Sequence, residues 1–204
     1  MATRCPIEFD TEQLRKEIRD VYSQVALNPE GEFHFHRGLN YATESLGYPA
    51  EQLLSLPPET TASFAGVGNP LAIDELAEGE VVLDIGSGAG MDLLLAARLV
   101  GPSGTAIGLD MTPAMLLRAS KSALADGLSN VDLREGDAEE IPVESNSVDV
   151  VISNGVINLT TDKLTAFSEI ARVLKPGGRL MLADIALDKP LPEAAIKNID
   201  LWAG

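Results

Sequence analysis

The chain has 204 residues, 45% of them hydrophobic and 23% charged, the size and composition of one globular domain with a sizeable core. Its formal net charge of -16, without clustered Lys and Arg, excludes charge-driven binding to nucleic acid or to an anionic membrane, and an acidic field suits a cationic ligand. The opening MATRCPIEFD holds no apolar run of signal-peptide length, so a cytoplasmic protein is expected, and the single cysteine, Cys5, can form neither an internal disulfide nor a multi-cysteine metal site.

Residues 10–26 place Leu14, Ile18, Val21, Tyr22 and Val25 on one helical face, with Asp10 and Gln13 at capping-box spacing. From Asn28 to Pro70 the composition turns to Gly, Pro, aromatics and both histidines, with GYPAEQLLSLP predicting a short helix between prolines. Residues 1–70 are therefore expected to form an N-terminal helical cap over a domain spanning 71–204. In Phe33-His34-Phe35-His36, alternation puts both imidazoles on one side and both rings on the other. His34, His36 and Tyr41 are the candidate catalytic groups of the cap, although ordinary packing is the plainer account of all three.

From residue 80 the pattern is regular. VVLDIG, TAIGLD, VDLREGD, VDVVISN and RLMLADI read as strands, alternating with helices over MDLLLAARLV, from Thr112-Pro113 to Asp126-Gly127, and from Asp162 to Leu174. LKPGG reads as the stop of the last of these helices. Such alternation predicts an α/β fold: a mostly parallel, Rossmann-like sheet with helices on both faces. The carboxyl ends of the five strands carry Asp84, Asp110, Asp137, Asn154 and Asp184, so a ligand site is expected along that edge. Helix capping explains any one of these residues, but explains the whole row less well.

Gly86-Ser87-Gly88-Ala89-Gly90 lies between a strand and a helix, the context of a ligand-cradling loop. Its third glycine comes one residue earlier than in the dinucleotide fingerprint, which disfavours a nicotinamide dehydrogenase. Asp110 alone suits a ribose in either type of enzyme. Taken together, VLDIGSGAG, IGLDMT, GDAEEIP and LKPGG resemble the class I S-adenosylmethionine-dependent methyltransferases. That resemblance implies S-adenosylmethionine as cofactor, with Asp84 before a glycine loop, Gly86, Ser87, Gly88 and Gly90, that passes the methionine part. It also implies Asp110 on the ribose, Met111 on the adenine, Asp137 and Ala138 at the adenine edge, and Asn154 near the transferred methyl.

GVGNP, GLDMTPAML, SNGVINL and RVLKPGG carry the resemblance further, to arsenite methyltransferases, over roughly residues 61–185. Those enzymes hold arsenic with cysteine thiolates in the stretches that here read Gly66-Val67-Gly68-Asn69-Pro70 and Ser153-Asn154-Gly155-Val156. Neither stretch contains a cysteine, and no metal site is expected. The expected activity is therefore methyl transfer to a small-molecule acceptor, with a non-catalytic donor-binding module and a true arsenite methyltransferase as alternatives. Class members complete the sheet with two further strands, whereas KPLPEAAIKNIDLWAG reads as one helix ending at Leu201 and Trp202. An open edge, and a homo-oligomer that covers it, are the corresponding expectations.

Overall fold

The computed structural model describes residues 10–186, 188 and 189. Cys5 and the helix expected near the carboxyl terminus lie outside the described residues. Four helices come first: α1 (Thr11–Leu27), α2 (Gly38–Leu46), α3 (Ala50–Leu54) and α4 (Pro58–Ala62). The alternating unit follows as β1 (Val81–Ile85), α5 (Met91–Val100), β2 (Thr105–Asp110), α6 (Pro113–Ala125), β3 (Val131–Glu135), β4 (Val148–Asn154), α7 (Lys163–Val173) and β5 (Leu174–Ala183).

The strands form one sheet in the order β3-β2-β1-β4-β5, and every pairing is parallel. After β1 the chain builds outward through β2 and β3, then returns to the other side of β1 with β4. The reversal between β1 and β4 leaves a crevice at their carboxyl ends, because the two connections depart in opposite directions. Register places Ile85 beside Ser153, so Asp84 and Asn154 flank this switch point.

Alternation along the strands sorts the two faces. Val82, Val150, Ile152 and Met181 pack with Ala96 and Val100 of α5, while Leu83, Ile85 and Val151 share a cluster with Ala166, Ile170 and Val173 of α7. The residues before the sheet are packed into the same body: Ala42, Tyr48, Leu53, Leu56 and Phe64 cluster with Met91, Leu93 and Leu94. Among the described residues no helix is long and apolar enough to cross a membrane.

One sequence expectation needs correction. LKPGG does not stop the preceding helix, which has already ended at Val173, with Leu174 in an extended conformation. Leu174 pairs with Val148 and Arg179 with Val150, so Lys175–Gly178 is an excursion inside β5. Pro176 has no N–H for the ladder and Gly177 takes a φ of 86°, which together turn the chain out of the sheet and back. Lys175 secures the excursion through its Nζ, 2.8 Å from Asp149 Oδ2.

Helix α1 begins as the sequence predicts, with Asp10 Oδ1 accepting from the backbone N–H of Glu12 at 2.9 Å and of Gln13 at 3.4 Å. Its inner face buries Leu14, Ile18, Val25 and Ala26. Asp10→Ala removes the cap and should cost about 1 kcal/mol. Hydrogen exchange is expected to speed up in the first turn of α1 while the sheet amides keep their protection.

Candidate functional site

A cavity of about 1080 Å³, counting its open mouth, lies along the carboxyl edge of the sheet. Its floor comes from Asp84, the loop Gly86–Ala89, Asp110 with Met111, Asp137 with Ala138, and Asn154 with Gly155. Arg15, Ile18 and Tyr22 of α1 close one side, and Thr60, Ser63, Phe64 and Gly66 another. Of the residues the sequence assigns to cofactor binding, Asp84, Gly86, Ser87, Gly88, Asp110, Met111, Asp137, Ala138 and Asn154 all border this space.

Gly90 does not border it. It caps α5 with a φ of 94°, and a Cβ there would come within 2.9 Å of Leu94 and 3.3 Å of Ala119, so its role is helix entry and close packing. The cap candidates are elsewhere too: His34, His36 and Tyr41 are not among the residues around the cavity. His34 and His36 are exposed, as the alternation predicts, while Phe33 and Phe35 turn inward toward Tyr22. Tyr41 stacks obliquely on His36 with 5.3 Å between ring centres.

Three acids are buried in the cavity wall. Asp110 at the end of β2 accepts at 2.8 Å from the N–H of Gly88 and at 2.8 Å from that of Thr112, so it fixes the glycine loop and the entry to α6. Burial raises its carboxyl, with these N–H donors opposing the rise. Asp92, in the first turn of α5, is pushed up to about 6 by burial, against the lowering effect of Asn154 and Tyr48. Asp84 is pushed well above the usual carboxylate range by burial and then by the neighbouring charges of Asp92 and Asp110, and its Oδ2 has no hydrogen-bond partner among the described residues.

Asn154 is more occupied than its strand-end position implies. Its Oδ1 accepts from the N–H of Val67 at 2.8 Å and of Gly68 at 3.1 Å, while Nδ2 donates to Gly68 O at 2.8 Å and Asp92 Oδ2 at 3.0 Å. Nδ2 also lies 3.1 Å from the Tyr48 hydroxyl, which itself donates to Asp92 Oδ1 at 2.6 Å. The amide therefore stitches the segment around Gly66–Gly68 to the sheet edge. Only glycine fits at 66, where a Cβ would lie 2.4 Å from the Asn154 amide.

Tyr48 and Asp92 escape sequence reasoning. Tyr48 sits in a loop among other aromatics, and Asp92 reads as an ordinary acid in a helical first turn. The signal available was a lone carboxylate in the otherwise apolar opening of MDLLLAARLV. Arg15 and Glu139 escape it as well. Arg15 of α1 lies 3.1 Å from Asp137 Oδ2 and 3.1 Å from Glu139 Oε2, bridging α1 to the loop after β3. Glu139 in turn accepts from Thr161 and Asp162, tying that loop to the one after β4.

The two cysteine-free stretches meet in space. A Cβ on Gly155 would lie 3.2 Å from Val67 Cγ1, and Gly155 itself has a φ of 73°. An apolar side chain and a bare backbone thus face each other at the positions of these two motifs. Among the described residues, no group of three or more His, Cys, Asp or Glu is arranged to hold a metal ion.

The sequence family described as "Methyltransferase domain" matches residues 76–203. An arsenite methyltransferase of Halobacterium salinarum is 44% identical over 162 residues, covering 79% of this chain and 41% of that protein. A demethylmenaquinone methyltransferase of Lactococcus lactis is 39% identical over 128 residues, covering 60% of this chain and 51% of that one. The crystal structure of an arsenic(III) S-adenosylmethionine methyltransferase from Chlamydomonas reinhardtii superposes with a TM-score of 0.67 at 39% identity, over 75% of this chain and 55% of that one. The chain thus spans about half, or less, of the length of these three relatives. With the glycine loop, the acidic strand ends and the β3-β2-β1-β4-β5 order in place, the chain belongs to the methyltransferase domain family and has the Rossmann-like fold of its class I, S-adenosylmethionine-dependent members.

Proposed function

We propose that this protein transfers a methyl group from S-adenosylmethionine to a small-molecule acceptor, with residues 1–70 serving as the cap of the donor pocket. The observation that carries the proposal is the convergence of Asp84, Asp92 and Asp110, all buried, on one cavity beside a glycine loop. S-adenosylmethionine supplies a methyl group on a positively charged sulfur. The residues present fit such a ligand. Asp84 Oδ2 and Ser87 Oγ are buried without partners among the described residues, and a Cβ on Gly88 would meet nothing within 4 Å, leaving the loop backbone open to close approach.

Each acid has a distinct task in this reading. Asp110 accepts from the N–H groups of Gly88 and Thr112 and from the Thr112 side chain, and its remaining acceptor capacity serves the ribose hydroxyls in this reading. Asp84 faces a choice between keeping a proton and meeting a cation, and a cationic ligand favours the second. Asp92 holds Tyr48 and Asn154, and through Asn154 it positions the Val67–Gly68 segment. Methyl transfer is an in-line displacement, so the chain's contribution is to hold the acceptor atom in place and exclude water.

The apposition of Val67 to Gly155, with no thiol at either position, disfavours arsenite held by thiolates and favours an organic acceptor. Similarity to the Halobacterium enzyme favours the arsenite reading, and the absence of any described cysteine opposes it. Titration calorimetry with S-adenosylmethionine should show binding, weakened about tenfold or more in Asp110→Ala. Radiolabelled methyl transfer to a panel of phenols, amines, thiols and arsenite should find label on an organic acceptor and none on arsenite. Absence of donor binding to the unaltered protein defeats the proposal; binding without transfer to anything supports a non-catalytic module instead.

The raised acids also set a stability prediction. Their folded-state carboxyls titrate above the unfolded value of 3.8, so between the two values the folded chain holds protons that the unfolded chain has released. These groups cost nothing below the unfolded value, and stability declines as pH rises from there through the folded values. Asp84→Asn keeps the shape and removes that cost. It should melt at a higher temperature than the unaltered protein at pH 8 and about equally at pH 4, while binding S-adenosylmethionine more weakly.

A further inference from the structure

Asp84 on β1 and Asp92 in the first turn of α5 are both buried in the cavity wall, and the charge of Asp92 bears on Asp84. Among the described residues around the cavity the cation is Arg15, and it is ion-paired with Asp137 and Glu139, so it serves neither acid. Two neighbouring carboxylates buried without a cation repel each other, and a proton on one of them relieves the pair.

Hydrogen bonding decides which of the two carries it. Asn154 Oδ1 accepts from the N–H groups of Val67 and Gly68, so Nδ2 is turned toward Gly68 O, the Tyr48 hydroxyl and Asp92 Oδ2. The Tyr48 oxygen thus faces a donor in Nδ2, and its own hydrogen goes to Asp92 Oδ1 at 2.6 Å. Burial, and then the charge of Asp92, raises the Tyr48 hydroxyl, so it stays a donor. Asp92 therefore meets a donor on each oxygen, and a proton there would find no acceptor among these partners. Asp84 faces Asp92 and Asp110, accepts from the N–H of Leu93, and keeps Oδ2 without a partner among the described residues.

We propose that Tyr48, which lies outside the family-matched residues 76–203, is a positioning residue that divides charge between the two acids. Its hydroxyl keeps Asp92 ionised and leaves the proton to Asp84. The consequence for the ligand rests on the donor reading above. A cationic donor meets one fixed carboxylate, Asp92, and one acid, Asp84, whose O–H bond breaks as the donor settles, with the proton passing to solvent.

Carbon-13 NMR of aspartate carboxyl groups, followed against pH in the ligand-free protein and assigned with Asp84→Asn and Asp92→Asn, reads this division directly. Asp92 should ionise at lower pH than Asp84 in the unaltered protein. Tyr48→Phe keeps the ring that packs edge-on to Phe64, and should raise the Asp92 midpoint by about one pH unit. Asp92→Asn should lower the Asp84 midpoint by about as much, because it removes the neighbouring charge. Asp84 ionising before Asp92, or an Asp92 midpoint that Tyr48→Phe leaves unchanged, would overturn the inference. These titrations contain no ligand, so either result leaves the donor reading intact. Failure of the unaltered protein to bind S-adenosylmethionine in calorimetry would overturn that reading and the consequence drawn for the ligand, while the division of charge would stand on the titrations.

Discussion

Burial of three carboxyl groups at one sheet edge is the constraint around which this molecule is arranged. A carboxylate taken out of water has to be met by hydrogen-bond donors, by a cation or by a proton. Each of the three acids meets the demand differently. Asp110 recruits backbone N–H groups and thereby shapes the glycine loop. Asp92 recruits Tyr48 and Asn154, and thereby anchors the segment that crosses above the edge. Asp84 Oδ2 has no hydrogen-bond partner among the described residues, and its neighbours are the acids Asp92 and Asp110, a position that the cationic donor proposed above would answer.

The same constraint accounts for the close glycines. The crossing segment can reach the Asn154 amide only because Gly66 has no Cβ, and the loop after β1 can pass the β4 exit only because Gly86 has none. A Cβ on Gly86 would fall 2.3 Å from Val156, and its φ of 69° suits glycine as well. Backbone approach here serves two ends at once, since it leaves room for a ligand on one side and seals the core on the other. From the opposite side, Arg15 fastens α1 to Asp137 and Glu139, so α1 is joined to the edge by charge as well as by the burial of Leu14 and Ile18.

Much of the alternating unit was legible because its signals are local. Strand runs, the Thr112-Pro113 entry to α6 and the Gly101 end of α5 are fixed by residues adjacent in sequence, and the bounds fall where those residues stand. The acidic strand ends were legible for the same reason. The Lys175–Gly178 excursion was not, because a helix stop and a bulge use the same residues and only pairing with β4 separates them. Tyr48 and Asp92 were hidden by distance, because 44 residues separate the two in sequence. His34 and His36 drew notice by their chemistry, whereas their place was decided by Phe33 and Phe35.

If the acids at the edge are answered by the donor, binding must be linked to protons. The direct measurement is calorimetry of S-adenosylmethionine binding at a series of pH values from mildly acidic to mildly alkaline, each in two buffers of different ionisation enthalpy, for the unaltered protein and Asp84→Asn. A net release of protons that disappears in Asp84→Asn is the predicted result. Binding with no proton release, or with a release that Asp84→Asn leaves unchanged, would contradict the account.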